Sequence, residues 1–109
     1  MDRFVTEGGH RIRGEMTPSG NKNEVLPAIA ACILTEETVT LENVPRLCDV
    51  EVMLEVLESL GGDVRWIDGN TLTVCMKEVR THMLDRALCR RVRASVLFSG
   101  PMTARCGRV

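Results

Sequence analysis

The chain has 109 residues, with 14 lysines and arginines against 15 aspartates and glutamates, so its formal net charge is −1. That length suits one small domain with a buried core. A near-neutral charge and only three aromatic residues argue against nucleic-acid binding, which favours basic surfaces and stacking platforms. No apolar run approaches the roughly 20 residues of a membrane span, and the first residues lack the apolar stretch of a secretory signal. We therefore expect a cytoplasmic protein that binds neither nucleic acid nor a membrane.

The cysteines and histidines do not indicate a metal site or a catalytic triad. No two of the five cysteines have the C-x-x-C spacing typical of zinc sites, and only two histidines are available to join them. We expect reduced thiols, mostly buried as small apolar side chains, and histidines in exposed loops. These residues are Cys32, Cys48, Cys75, Cys89, Cys106, His10 and His82.

The first third of the chain combines extended, turn and helical patterns. Residues 3–7 and 11–16 flank a Gly-Gly pair and predict a β-hairpin. The turn-forming run of residues 17–21 predicts a loop. From Asn23 to Leu34 apolar residues recur at helical spacing, with Asn23 as the expected N-cap. Pro27 then falls in the fourth helical position, which predicts an irregular first turn.

The rest of the chain alternates between strands and helices. Residues 38–44 alternate as a strand does. A helix with Asp49 as N-cap and Gly61-Gly62 at its end is the clearest element. Residues 64–67 and 71–75 predict a second hairpin, and residues 84–98 predict a helix that Gly100-Pro101 breaks or kinks. This alternation predicts an α/β domain with helices packed on a sheet.

A loop that enters the first helix is the most suggestive site. The N-terminus of a helix presents unpaired N–H groups and a partial positive charge, so it attracts anions. Lys22, within Ser-Gly-Asn-Lys-Asn, adds a full charge there, although the segment is not a Walker A motif. The chemistry fits a phosphate or a carboxylate. A solvated lysine beside a capped helix is the alternative interpretation.

Arginines form the second candidate site. On one continuous helix, Arg86, Arg90 and Arg93 would share a face while Arg91 would point elsewhere. Guanidinium groups suit bidentate binding of phosphate or carboxylate. The alternative is a solvated helix face, and the same alternative applies to Arg105 and Arg108.

Five segments of the chain carry a resemblance when they are taken together. They are Ser19 to Pro27, Asn43 to Val50, Leu60-Gly61-Gly62, Arg93-Ala94-Ser95 and Gly100 to Arg105. In this order, and across nearly the whole chain, they resemble the motifs of the UDP-N-acetylglucosamine 1-carboxyvinyltransferases, within the enolpyruvyl transferase family. The Lys-Asn pair separates this resemblance from the shikimate-pathway transferases, which have a Ser-Lys-Ser-type sequence there.

The resemblance implies an inside-out α/β fold of two domains, each built from βαβαββ units, with ligands in the cleft between them. Residues 1–21 would be strands that join the other domain, and residues 22–109 an incomplete part of the first domain. Lys22 and Asn23 would contact phosphoenolpyruvate, and Asn23 would also lie near the hydroxyl of UDP-N-acetylglucosamine. Arg93 would hold the anionic ligands, and Asp49 would support the site from behind. No metal or organic cofactor is implied.

The implied reaction transfers an enolpyruvyl group to the sugar 3-hydroxyl and releases phosphate, which opens peptidoglycan synthesis. The family is several times longer than this chain, and its proton-donating cysteine would lie beyond Val109. The resemblance therefore implies no catalytic residue here, assigns Cys106 to packing, and predicts that the chain is an inactive N-terminal portion. The alternatives are a non-catalytic module that binds anions or a partner, and a fragment of a shikimate-pathway transferase.

Overall fold

The computed structural model describes all 109 residues, and its regular elements begin at Lys22. No helix in it has the length and apolarity needed to cross a membrane. The elements in chain order are α1 (Lys22–Ala31) with a 3₁₀ turn (Cys32–Leu34), β1 (Thr38–Leu41), α2 (Cys48–Ser59), β2 (Asp63–Trp66), β3 (Leu72–Cys75), α3 (Arg86–Arg91), a 3₁₀ segment (Arg93–Phe98) and α4 (Ser99–Cys106).

The three strands form one antiparallel sheet in the order β1-β3-β2. Its register aligns Val39 with Val74 and Val64, so that branched side chains form a row across one face. Val74 is fully buried, and its row neighbours pack against the same core. The alternate positions are mostly polar, as expected for a sheet with one solvated face. The sheet and its covering helices confirm the predicted α/β class.

Helix α2 contributes many buried residues to the core. The geometry of its C-terminus explains why two glycines follow it. Gly61 has φ 105° and donates its N–H to Glu58 O at 3.0 Å, while the N–H of Gly62 reaches Leu57 O at 2.9 Å. This pair of bonds is a Schellman motif, which requires a left-handed residue that glycine adopts without strain. The predicted end of this helix is therefore confirmed.

The core is aliphatic, as the scarcity of aromatic residues predicts. Twenty residues are buried, none of them polar or charged, and Phe98 is the one aromatic among them. Met53 and Leu57 of α2 are fully buried, and α2 contacts α1, β2, α3 and the 3₁₀ segment. Burial of this apolar surface is what stabilises so small a domain.

The hairpin predicted within residues 3–16 is wrong for this chain. Residues 1–21 form neither strand nor helix, and Phe4 and Ile12 are 99% and 95% exposed. An isolated two-stranded hairpin is marginal in water unless its apolar side chains pack on another surface. No such surface contacts them here. The division of the chain into residues 1–21 and 22–109 stays a prediction.

The helix predicted over residues 84–98 is confirmed only over Arg86–Arg91, and its continuation to residue 98 is wrong. Helix α3 ends at Arg91, and Val92 is extended (φ −140°, ψ 123°). Burial of Val92 to 3% exposure explains the break, because the extended backbone turns this side chain into the core. Gly100-Pro101 does not end a helix but lies in the first turn of α4, where proline costs no hydrogen bond.

The cysteines are free, but they are less buried than expected. Only Cys32 is buried, Cys48 is exposed, and the other three are partly buried. Cys106 packs partly buried against the core, in agreement with its predicted packing role. Burial raises the pKa of the Cys32 thiol to about 11, and a hydrogen bond from the backbone of Cys32 itself lowers it by less. The thiol donates to Ala28 O at 3.3 Å.

This raised pKa predicts a loss of stability in alkaline solution. Between pH 9 and pH 11 the native state holds the Cys32 proton that the unfolded chain releases, so the free energy of unfolding falls as the pH rises. We expect a contribution of about 2 kcal/mol over that range. Urea unfolding of the chain and of Cys32→Ala across the range measures it. An equal decline in both proteins would contradict the prediction.

Candidate functional site

Helix α1 is capped two residues earlier than the sequence predicts. Asn21, not Asn23, is the N-cap, and its side-chain oxygen accepts the N–H of Asn23 at 2.7 Å. Lys22 and Asn23 therefore occupy the first turn of α1. Pro27 lies beyond that turn, at the sixth helical residue, so the predicted first-turn irregularity is wrong.

Gly20 fixes the approach of the loop to this helix. A Cβ atom at residue 20 would overlap the carbonyl oxygen of Asn43 and lie 2.8 Å from Cδ of Pro45. Asn43 itself has φ 54°, and its side-chain amide donates to Pro18 O at 3.4 Å. The loop can pass this close only because residue 20 has no side chain. Its position determines where Lys22 begins the helix.

Lys22 is held by a carboxylate on a second helix. Its Nζ lies 2.9 Å from Oδ2 of Asp49, and both side chains are partly exposed. The sequence predicts Asp49 as the N-cap of α2. This prediction is wrong, because the N-cap is Leu47. Asp49 occupies the first turn instead, where the helix dipole stabilises a carboxylate. Two helix N-termini therefore converge on this ion pair.

Arg93 reaches the same region through the break after α3. Side chains on either side of an extended residue project to the same side of the chain, opposite to that residue. Val92 is extended and buried, whereas Arg91 and Arg93 on either side of it are both exposed. The expected helical face of Arg86, Arg90 and Arg93 is wrong, since no single helix contains all three. Arg91 joins Arg93 instead.

These side chains surround one open hollow of about 370 Å³. Its lining includes Lys22, Asn23, Asp49 and Arg93, the four residues singled out from the sequence. Arg91 lines it as well, although the predicted continuous helix would place Arg91 on another face. The remaining lining residues are Leu26, Val92 and Ala94. The structure thus brings the predicted residues together, while their roles in binding stay predictions.

The charges of the hollow are only partly balanced. Asp49 pairs with Lys22, and Glu55 Oε2 pairs with Arg91 Nη1 at 3.0 Å. Arg93 takes part in none of the four ion pairs of the chain. The hollow therefore has one guanidinium without a carboxylate partner and two paired cations. An entering anion can bind Arg93 without displacing a resident carboxylate.

A second cavity lies on the other side of the α1 N-terminus. It has about 210 Å³ and is lined by Gly20, Asn21 and Asn43 together with Glu24 and Glu42. No cation lines it, so it does not suit an anionic ligand. It contains none of the predicted site residues.

Three other residues considered for function lie apart from the hollow. Arg105 is largely buried and donates to the carbonyl oxygens of Ile33, Thr35 and Lys77, so its expected solvated state is wrong. His10 is exposed, as expected, whereas His82 is partly buried. None of them lines either cavity.

The fold and sequence of this chain both match known proteins. The crystal structure of the enolpyruvyl transferase NikO from Streptomyces tendae matches 92% of this chain and 23% of its own, with a TM-score of 0.76 and 26% identity. Residues 6–109 match the family model described as EPSP synthase (3-phosphoshikimate 1-carboxyvinyltransferase). The chain belongs to this enolpyruvyl transferase family.

Curated relatives with higher identity share one specific enzyme name. The UDP-N-acetylglucosamine 1-carboxyvinyltransferase of Bradyrhizobium diazoefficiens is 51% identical over 107 residues, which are 98% of this chain and 25% of that protein. The protein of the same name from Treponema denticola is 43% identical over 108 residues, 99% of this chain and 25% of its own length. The chain thus spans about a quarter of the length of these relatives.

Gly20→Ala should disturb the site through its backbone. The added methyl group overlaps Asn43 O, so the loop must move away and carry the Asn21 cap and Lys22 with it. We expect a loss of about 1–3 kcal/mol in the free energy of unfolding and displaced amide NMR signals at Lys22 and Asn23. Gly69→Ala is the matched control, because no atom lies within 4 Å of the added Cβ there. Equal effects of the two substitutions would contradict this role of Gly20.

Proposed function

We propose that this chain forms one wall of the substrate site of a UDP-N-acetylglucosamine 1-carboxyvinyltransferase. The observation that carries the proposal is the hollow in which Lys22, Asn23 and Arg93 meet at the start of α1. Relatives bearing this enzyme name, at 51% and 43% identity over almost the whole chain, support the same choice of substrates. The reaction transfers the enolpyruvyl group of phosphoenolpyruvate to the sugar 3-hydroxyl and releases phosphate.

The charges of the hollow match the first substrate. Phosphoenolpyruvate carries a phosphate and a carboxylate, and both need fixed cations or N–H donors once water is displaced. Lys22 and Arg93 supply the cations, and the amide of Asn23 supplies a donor and an acceptor. Asp49 positions the ammonium group of Lys22 by their 2.9 Å contact. Asp49 therefore acts through Lys22.

The chemistry explains why such cations matter. The sugar hydroxyl adds to C2 of phosphoenolpyruvate as a proton reaches C3, and loss of phosphate and of a C3 proton then restores the double bond. Negative charge shifts onto the departing phosphate in the second step, so a fixed cation beside it lowers the barrier. No residue of this chain is proposed to deliver the C3 proton. The family resemblance assigns that role to a cysteine beyond Val109, so the 109-residue chain alone should be inactive.

A chimera tests the proposal. Residues 1–109 of this chain replace the matching quarter of the Bradyrhizobium diazoefficiens relative, and phosphate release is measured with phosphoenolpyruvate and UDP-N-acetylglucosamine. We expect turnover within tenfold of the unmodified relative and none by the 109-residue chain. A folded chimera without turnover would refute the proposal. Turnover with 3-phosphoshikimate in place of the nucleotide sugar would favour the shikimate-pathway alternative.

A further inference from the structure

We infer that Arg91 and Arg93 act together as a two-guanidinium clamp for a phosphate group of the ligand, with Glu55 holding Arg91 in position. This inference rests on the proposed function, because the ligand is that of the same hollow. It adds Arg91, which lies outside the five segments that carry the family resemblance. The feature that carries it is the extended residue Val92 between two arginines.

The backbone brings the two arginines together. On a continuous helix, residues two apart lie on different faces, so Arg91 and Arg93 could not bind one anion. Here α3 ends at Arg91, Val92 is extended and turns its side chain into the core, and both neighbours line the hollow. A buried valine thus sets the direction of two exposed arginines.

Glu55 explains how Arg91 keeps its place when no ligand is bound. Its Oε2 accepts one N–H of Arg91 Nη1 at 3.0 Å, across from α2. A guanidinium has five N–H donors in a rigid fork, so the others stay available to a phosphate oxygen. The carboxylate orients the arginine without using its whole binding capacity. Arg93, which has no carboxylate partner, supplies the second fork.

The hollow is large enough for the phosphate group to come from either substrate, so an experiment must distinguish the two. At about 370 Å³ it can admit more than the three-carbon substrate. The phosphate of phosphoenolpyruvate and the diphosphate of the nucleotide sugar present the same oxygen chemistry. Titrations with each ligand separate these two sources, and inorganic phosphate serves as the minimal probe.

The test measures dissociation constants of the 109-residue chain by NMR titration with inorganic phosphate, phosphoenolpyruvate and UDP-N-acetylglucosamine. Arg91→Gln should weaken at least one phosphate-bearing ligand roughly tenfold, the loss expected for a charge-assisted bond pair. Arg90→Gln is the matched control, since it removes the same charge from the adjacent residue, which does not line the hollow. Its effect should stay within twofold. Arg91→Lys keeps the charge without the fork and should fall between them.

The outcomes separate this inference from the proposed function. If Lys22→Met abolishes binding while Arg91→Gln leaves it unchanged, the clamp is refuted and the proposed function stands. Equal losses of affinity in Arg90→Gln and Arg91→Gln would show that only the net charge of the chain matters, and this would also refute the clamp. If Arg91→Gln weakens binding and Lys22→Met does not, the clamp stands and the proposed role of Lys22 fails. Absence of any binding by the unsubstituted chain at millimolar ligand would overturn the clamp, whereas the proposed function is decided by turnover of the chimera. An ion pair as exposed as Arg91–Glu55 contributes little to stability, so the variants should fold.

Discussion

Lys22→Met in the chimera should lower kcat/KM by about a thousandfold. The methionine keeps roughly the length of the side chain and removes the cation that the proposed function places beside the departing phosphate, a change typically worth about 10²–10³ in rate. It also leaves the Asp49 carboxylate in the hollow without its partner at 2.9 Å, which adds repulsion against an anionic substrate. Steady-state phosphate release at saturating nucleotide sugar measures the effect.

The chain offers a close control for this substitution. Lys77 is the only other lysine, and its exposed side chain lies outside the hollow. Lys77→Met therefore makes the same chemical change and should leave turnover within twofold. Lys22→Arg keeps the charge on a different geometry and should recover part of the lost activity. Comparable losses at Lys22 and Lys77, or full activity of Lys22→Met, would rule out the proposed role of Lys22.

Local patterns predict those elements whose neighbours in sequence are also their neighbours in space. The apolar stripe and glycine end of α2 need only helical periodicity and one left-handed residue, and both are found. The hairpin of β2 and β3 closes over the short turn between them, and an Asp68 carboxylate oxygen accepts the N–H groups of Asn70 and Thr71 there. These donors lower the pKa of Asp68, a local effect again.

Predictions from the sequence are wrong for elements that depend on contacts with distant residues. Nothing in the Arg-Arg-Val-Arg letters distinguishes a helix from an extended valine; the difference comes from the core pocket that accepts Val92. The same holds for residues 1–21, whose alternating pattern needs a surface that this chain does not place beside them. Lys22, Asn23, Asp49 and Arg93 could be selected from motifs. Arg91 could not, because its direction follows from the tertiary break.

Arg105 is another residue whose environment could not be predicted from the sequence, and it matters for stability. Its sequence context reads as a solvated arginine near the end of the chain, yet its side chain is only 17% exposed. The guanidinium donates to Ile33 O at 2.8 Å, to Thr35 O at 3.2 Å and to Lys77 O at 3.0 Å. It therefore joins α4 to the segment after α1 and to the segment after β3. The planar fork spreads its donors over two terminal nitrogens, Nη1 for Ile33 and Thr35 and Nη2 for Lys77, and so satisfies three separate carbonyls at once.

Arg105→Met should accordingly destabilise the chain by about 3 kcal/mol, since three carbonyl groups lose a charged donor in a largely buried position. For a chain of this size that loss corresponds to a fall in Tm of roughly 10–20 °C. Arg108→Met is the control, because Arg108 is exposed and forms none of the ion pairs or side-chain hydrogen bonds. Arg105→Lys should recover only part of the loss, because an ammonium group cannot span the three acceptors. A Tm unchanged in Arg105→Met would show that the docking of α4 depends on apolar packing alone, through the fully buried side chain of Met102.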